Sequence, residues 1–224
     1  MRTIILILSL PNKSVVYDEH GSVSVDKLTQ DQSIYDTYGF LLPIKSLSEP
    51  ASVDVYKVTL SSGESFIVGA EHQFEVFVNN QIASTITAKQ FAENPDDNAF
   101  INVQRQIEFN TVPNESIREI VANFDLSTTK LDNEIKYQPI AQRNEIITGL
   151  MRNELFSKYA NLVFDKDHHQ LRDDVIEIIK TIGLLPIILV NGDDTYISIS
   201  WQPRVEIVSI EKCSRKQKCR TFEI

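Results

Sequence analysis

The sequence predicts an α+β fold in which a mostly antiparallel β-domain is interrupted by a smaller α+β domain. Residues 1–108 show strand-like alternation and turn signals without a βαβ pattern. Helical periodicity is confined to residues 109–200, and residues 201–224 are strand-like again. Two β segments that flank a helical insert indicate one domain, 1–108 with 201–224, that is interrupted by a second domain, 109–200.

Hairpin signals fill the first hundred residues. The opening run TIILILSL is typical of a buried strand, and SVVYDEHGSVSVDKL alternates on both sides of Gly21. In VYKVTL, Tyr56, Val58 and Leu60 fall on one face of a strand, which SSGE turns back into SFIV. A further hairpin is expected to turn at Asn79 and Asn80.

Three helices are expected between residues 110 and 185. The first has Asn114 as its N-cap and one apolar face, formed by Ile117, Ile120, Val121 and Phe124. The second is IAQRNEIITGLM, and the third, QLRDDVIEIIKTIGL, ends at Gly183. A hairpin then turns at Asn191-Gly192, and two final strands are joined by a basic loop.

Gly149 lies inside the second predicted helix, where glycine costs roughly 1 kcal/mol relative to alanine. A glycine is justified there if the helix backbone approaches another helix so closely that a side chain would not fit. The sequence therefore predicts a close helix–helix contact at this position.

The charge distribution argues against a DNA-binding surface. The net charge is −9. Residues 1–100 contribute 6 − 13 = −7, residues 101–200 contribute 10 − 15 = −5, and residues 201–224 contribute 6 − 3 = +3. DNA affinity comes largely from basic side chains that neutralise phosphates. Another protein is therefore the expected partner, and DNA is disfavoured.

The sequence gives no sign of a membrane segment or a cofactor. The apolar run from Ile4 to Leu8 is too short to span a bilayer, and no small-residue cleavage site of a signal peptide follows it. Cys213 and Cys219 are expected to be a reduced pair in the cytoplasm.

Several motifs in the β-domain resemble the Hint fold of inteins and Hedgehog-type autoprocessing domains. VYKVTLSSGESFIVGAEHQFEVF is similar to the hairpin that carries the catalytic histidine, which corresponds to His72. SLPNKSVVYDEHGSVSVDKL is similar to the opening segment and places the nucleophile at Ser9, and VEIVSIEKCSRKQKCRTFEI is similar to the late strands.

This resemblance implies that Ser9 attacks the preceding carbonyl carbon while His72 helps the amide nitrogen to leave. Two departures count against such chemistry. Gly69 stands where the family has a threonine, and the final His-Asn pair with its following nucleophile has no counterpart before Ile224, so splicing is not expected. The segment Met1–Leu8 is expected to fill the sheet edge left by the missing strands or to pair with a partner.

The insert resembles a LAGLIDADG homing endonuclease. YQPIAQRNEIITGLMRNELF is similar to the second copy of that motif, and LRDDVIEIIKTIGLLPIIL to the helix and strand that follow. The resemblance implies that Glu154 is the metal-binding acid, a ligand for Mg²⁺ if the nuclease is active. However, Arg152 replaces the first aspartate of the motif, Leu155 replaces its last glycine, and no first copy is evident.

The segment DKDHH at 165–169 offers potential metal ligands, but adjacent side chains rarely converge on one ion, and a solvated loop is expected.

Taken together, these features predict a degenerate derivative of an intein and homing endonuclease. We expect it to be retained as a non-catalytic module for protein binding or assembly. Inteins with such inserts occur in phage genes, so the resemblance implies a phage structural or accessory protein, located in the host cytoplasm or in the virion. The alternatives are a homodimeric, metal-dependent DNA endonuclease or a self-cleaving Hint fragment, in which Ser9, His72 and Glu154 would be catalytic.

Overall fold

Antiparallel strand pairing dominates the computed structural model, which describes residues 6–78, 81–95, 99–103 and 105–224. Every strand pair in this part of the chain is antiparallel, and helices are concentrated between residues 117 and 181, so the predicted α+β class is confirmed.

The described part of residues 1–108 contains twelve strands and one helix, and we use the name insert for residues 109–200 and β-domain for the rest of the chain. They are β1 (Ile7–Pro11), β2 (Val15–Asp18), β3 (Gly21–Ser24), β4 (Ser33–Tyr35), β5 (Leu41–Pro43), β6 (Ser46–Leu47), β7 (Ala51–Val53), β8 (Val55–Leu60), β9 (Ser65–Gly69), β10 (Gln73–Val78), β11 (Gln81–Thr87), α1 (Ala88–Glu93) and β12 (Phe100–Asn102). A short 3₁₀-helix covers Val25–Lys27.

The insert contains four helices and four strands, and two long strands follow it. They are α2 (Ile117–Ala122), α3 (Asn133–Lys136), α4 (Ile140–Arg152), β13 (Ser157–Lys158), β14 (Asn161–Phe164), α5 (His169–Thr181), β15 (Leu185–Asn191), β16 (Asp194–Ser200), β17 (Arg204–Lys212) and β18 (Gln217–Glu223). A 3₁₀ turn over Lys166–His168 leads into α5.

The described strands form three larger sheets and two two-stranded ones, β2-β3 and β4-β5. One has the order β1-β18-β6, with β7 also paired to β18; the second has the order β11-β10-β12-β17-β8-β9; and the third, in the insert, has the order β13-β14-β16-β15. The two strands after the insert therefore enter different sheets of the β-domain. The predicted hairpins around Gly21 and SSGE are confirmed by the β2–β3 and β8–β9 pairs.

The opening strand is shorter than its apolar run. Ile7 and Leu8 pair with Glu223 and Phe222 of β18, so this part of the predicted edge strand is paired within the chain. Met1–Ile5 lie outside the described residues. The same holds for the turn expected at Asn79 and Asn80, although β10 and β11 pair on either side of it.

Two local predictions were wrong by one or two residues. The N-cap of α2 is Ser116 rather than Asn114. The Asn114 side chain instead accepts the Ser116 amide at 2.9 Å, which forms a turn before the helix. In the β15–β16 hairpin, Asn191 pairs with Asp194, so the two-residue turn is Gly192–Asp193 and begins at Gly192 (φ +65°).

The insert and the β-domain have separate apolar clusters that meet along one boundary. In the insert, α4 and α5 pack on the inner face of the four-stranded sheet through Ile146, Leu150 and Ile178, which are fully buried. The β-domain cluster contains Val58, Val68 and, from the insert, Leu185. Leu185 thus fixes the first residue of β15 against the β-domain.

Buried polar contacts also cross this boundary. The Tyr137 ring lies against Gly21, where a Cβ would come within 2.5 Å of it. Arg143 is fully buried above the Phe109 ring, and its guanidinium donates to the carbonyl oxygens of Gln138 and Ile107. Burial lowers the pKa of Arg143 to about 10. No helix in the described part of the chain is long and apolar enough to cross a membrane.

Candidate functional site

Ser9 and His72 are in direct contact, although 63 residues separate them in sequence. Directly before β1, Leu6 exchanges both backbone hydrogen bonds with Ile224, at 3.4 and 3.3 Å. Alternation along an antiparallel pair then turns the amides of Ile7 and Ser9 away from β18. The Ser9 N–H donates to His72 Nδ1 at 3.3 Å, and the Ile7 N–H donates to Gln73 Oε1 at 3.0 Å.

His72 is neutral in this environment. Its residue surface is 8% exposed, and burial lowers its pKa to about 4 because a low-dielectric site disfavours the imidazolium. Nδ1 accepts a hydrogen bond, so we assign the ring proton to Nε2. The histidine therefore acts towards Ser9 as a hydrogen-bond acceptor and holds no proton at Nδ1.

The Ser9 hydroxyl faces another hydroxyl. Ser9 is 2% exposed, and the Thr221 Oγ1–H donates to Ser9 Oγ at 3.3 Å. Among the described residues, no carboxylate or imidazole nitrogen hydrogen-bonds to this oxygen. A Cβ at position 69 would lie 2.1 Å from Ser9 Oγ, which explains why glycine stands there. The threonine expected from the resemblance would displace the Ser9 side chain.

A charged cleft of about 700 Å³ opens beside Ser9. Asp54, Lys212 and Lys216 line it, with Lys212 Nζ 2.7 Å from Asp54 Oδ2. Hydrogen bonding to Lys212 lowers the pKa of Asp54. Lys212 and Lys216, two of the three lysines that line this cleft, are therefore paired with Asp54 rather than directed at the Ser9 hydroxyl.

Gly149 makes the predicted close helix contact. A Cβ at this position would lie 2.1 Å from Val121 Cγ1 of α2. Arg118 pairs with Glu145 at 2.6 Å before this contact, and the Asn153 side chain donates to the Phe124 carbonyl at 2.9 Å beyond it. The order of these contacts shows that α2 and α4 run in the same direction.

The parallel packing brings two acidic residues to the same end of the helix pair. Glu154 follows Asn153, and Asp125 follows Phe124, so each comes directly after one partner of the Asn153–Phe124 hydrogen bond. Asp125 is not singled out by the sequence, because the helix before it, α2, shows no LAGLIDADG-like motif. The spacing from the helix contact could have indicated it. Asp125 lies four residues after Val121, and Glu154 lies five residues after Gly149.

The two carboxylates differ in their surroundings. Glu154 is exposed after the end of α4. Asp125 Oδ1 accepts the Ser127 amide at 2.8 Å and the Ser127 hydroxyl at 2.5 Å, and these bonds lower the pKa of Asp125. The exposed Arg152 lies at the same end. The part of the chain that the structure describes contains no group of three or more His, Cys, Asp or Glu side chains that could hold a metal.

The DKDHH segment is not simply a solvated loop. His168 is 6% exposed, with Nδ1 2.7 Å from Asp165 Oδ1 and Nε2 3.0 Å from the Leu126 carbonyl. Burial alone would lower the pKa of His168, but hydrogen bonds to Asp165 and Leu126 outweigh burial and raise it. This residue joins the start of α5 to the chain that follows Asp125, which is a structural role.

The two cysteines are free thiols. Cys219 is buried in β18, and burial raises its pKa to about 11, so its thiol stays protonated at neutral pH.

The outer face of the insert sheet is apolar. The register places Ile187 opposite Ser198, and Leu189 opposite Tyr196, on the side away from α4 and α5. Ile187 is 37% exposed and Leu189 is 65% exposed. Only Lys158 at one side and Asp194 near the hairpin turn add charge to the strands of this face. With one lysine, this surface has fewer cations than a set of phosphate contacts requires.

Comparisons with known proteins found similar solved structures over part of the chain. No protein-family model and no curated protein matches the sequence. The solved gp41-1 intein is similar over 46% of this chain and 70% of its own, with 13% identity and a TM-score of 0.35. The MchDnaB-1 intein is similar over 36% of this chain, with 15% identity and a TM-score of 0.32. The chain spans 58% and 59% of the first two matched intein structures.

Proposed function

We propose that this chain is a Hint-type domain derived from an intein, with an endonuclease-type insert, and that it works as a non-catalytic protein-binding module. The observation that carries this proposal is the hydrogen bond from the Ser9 amide to His72 Nδ1. Together with Gln73, His72 satisfies the amides on the outer edge of β1, which would otherwise be unpaired. The pair that the family uses for chemistry stabilises a strand edge here.

Three features oppose reaction at the Leu8–Ser9 peptide bond. Ser9 lies inside a strand that pairs with β18, and its amide is held on the other side by the hydrogen bond to His72. The nucleophile has no base, since its hydroxyl meets only that of Thr221. The neutral His72 has no proton on Nδ1 to give to a leaving amine. These features support loss of the acyl-transfer step.

The helix-pair end lacks the features of an active nuclease. Asp125 already accepts hydrogen bonds from Ser127. Arg152, two residues before the exposed Glu154, is a cation that would compete with a metal ion for the Glu154 carboxylate. We expect the purified chain to leave supercoiled plasmid DNA intact in the presence of Mg²⁺. Gel electrophoresis of the plasmid checks this, and nicking that Glu154→Gln abolishes would show that the nuclease survives.

The apolar outer face of the insert sheet is the surface that we propose for protein binding. Exposed apolar residues in a contiguous face mark interaction surfaces. Its scarcity of charge also favours a protein over DNA, because the rest of this acidic chain would repel phosphates.

Capture of partners with the immobilised chain tests this role. Leu189→Lys places a charge among the exposed apolar side chains of the proposed surface, and we expect it to reduce retention of any specific partner at least about tenfold. Val208→Lys is the matched control, because Val208 is 61% exposed but lies on β17. A partner retained equally by both variants would place the binding surface elsewhere.

A residual N-terminal acyl shift is the second candidate function. The same Ser9–His72 contact favours it, because the histidine is already hydrogen-bonded to the nitrogen that would leave. Here, Ser9 Oγ would bond to the Leu8 carbonyl carbon, the C–N bond would break, and the proton would pass to nitrogen to give an ester and a free amine.

A further inference from the structure

A cavity of about 310 Å³ lies between the β-domain and the insert, near His72. Its volume is at the lower end of the range for small-molecule sites. Most of its lining is apolar and comes from both sides of the boundary: Leu60, Phe74, Ile101 and Val205 from the β-domain, and Leu185 and Pro186 from the insert. A small apolar group would be buried there on several sides.

His72 provides a directional contact in the wall of this cavity. Its Nδ1 is occupied by the Ser9 amide, so the neutral ring carries a proton on Nε2. Among the described residues none accepts a hydrogen bond from Nε2, and His72 is part of the cavity lining. The ring therefore offers one N–H donor to a molecule in the cavity.

The charges around the cavity disfavour an anion. Lys180 is the only cation in the described lining, and its Nζ is paired with Glu64 Oε1. Glu75, which is 7% exposed, adds a second carboxyl group. An anionic ligand would have to compete with Glu64 for Lys180, whereas an uncharged acceptor requires no counterion.

We propose that this cavity binds a small, uncharged, apolar carbonyl compound, whose oxygen accepts a hydrogen bond from His72 Nε2 and whose hydrocarbon part fills the apolar lining. This site goes beyond the protein-binding role, because it lies at the boundary between the two domains rather than on the outer sheet face. It needs no reaction at Ser9.

Titration with N-acetyl-L-leucine methylamide tests the proposal. We expect binding with a Kd of about 1 mM, which is usual for a ligand of this size. The His72 Nε2 signal of ¹⁵N-histidine-labelled protein is expected to shift with the same Kd. N-acetyl-L-leucine, which has the same side chain but a carboxylate, is expected to bind at least about tenfold more weakly. Absence of binding at about 10 mM, or binding without movement of the His72 signal, would overturn the proposal.

Ile101→Phe should fill the cavity and weaken binding at least about tenfold. Ile67→Phe is the matched control, because Ile67 lies on β9 and does not line the cavity. Leu60→Phe fills the cavity from another strand and replaces Ile101→Phe if that variant does not fold. Unchanged binding by a folded filling variant would contradict the proposed position. If neither filling variant folds, the His72 signal in the unsubstituted chain decides the outcome.

Discussion

Replacement of Asp174 by alanine is expected to lower the free energy of unfolding by about 3–5 kcal/mol, the usual cost of removing one partner from a buried ion pair. Asp174 lies on α5 and is 2% exposed. Its Oδ1 accepts from Lys136 Nζ at 3.1 Å, and its Oδ2 accepts the Leu131 amide at 2.8 Å. Loss of this carboxylate leaves the Leu131 donor unpaired and removes half of the negative charge around Lys136.

Lys136 makes this position sensitive. Its side chain is 11% exposed and also pairs with Glu177 at 2.9 Å. Burial alone would lower the pKa of the Lys136 ammonium, but hydrogen bonds to Glu177 and Asp174 outweigh burial and raise it. Lys136 thus remains charged at neutral pH and requires both carboxylates.

Urea unfolding followed by circular dichroism measures the effect. Asp173→Ala is the matched control, because Asp173 is the adjacent residue of α5 and pairs with Arg172 at the surface. Removal of that pair is expected to cost less than about 1 kcal/mol. Similar losses for the two substitutions would show that the buried network contributes little to stability.

Gly149→Ala is expected to destabilise the chain by about 1–3 kcal/mol, although alanine is the better helix former by roughly 1 kcal/mol. The added methyl group would lie 2.1 Å from Val121 Cγ1, which is far inside van der Waals contact. Valine is stiff at χ1, so its side chain cannot easily turn away. The helices α2 and α4 must therefore separate.

The sign of this effect should reverse when the opposing side chain is shortened. In a Val121→Ala background the 2.1 Å clash is absent and the nearest atom to the added methyl group is the Cβ of residue 121, at 3.3 Å, which a small helix shift relieves. Gly149→Ala then gains helix propensity, so it should be neutral or stabilising by up to about 1 kcal/mol. Thr148→Ala is the control, because it introduces an alanine into the same helix at an exposed position. Destabilisation that persists in the Val121→Ala background would rule out the clash as its cause.

Local patterns predicted much of the fold. The SSGE turn and the helices α4 and α5 follow from signals within a dozen residues, and the structure places them as expected. Gly149 was also interpretable, because a helix-interior glycine indicates a close approach before its partner is known. The Asn191-Gly192 signal located its hairpin but not the register, which cross-strand packing sets.

The candidate site was only partly predictable, because most of its contacts are distant in sequence. The resemblance pointed to Ser9 and His72, and the structure brings the two together. Thr221 is 212 residues from Ser9, and no local pattern indicates that their hydroxyls meet. Asp125 likewise gains its position from the direction of α2 relative to α4. The prediction that His168 lies in a solvated loop was wrong, because its partner, Leu126, lies 42 residues away and no local pattern indicates the contact.

Hydroxylamine treatment followed by intact-mass spectrometry tests most directly whether the Ser9–His72 pair is non-catalytic. Hydroxylamine cleaves an ester far faster than an amide, so any acyl shift would release residues 1–8 as a hydroxamate and leave a chain that begins at Ser9. We expect the chain to keep its full mass at neutral pH, as does Ser9→Ala. Release of residues 1–8 from the unsubstituted chain, but not from Ser9→Ala or His72→Ala, would contradict this account.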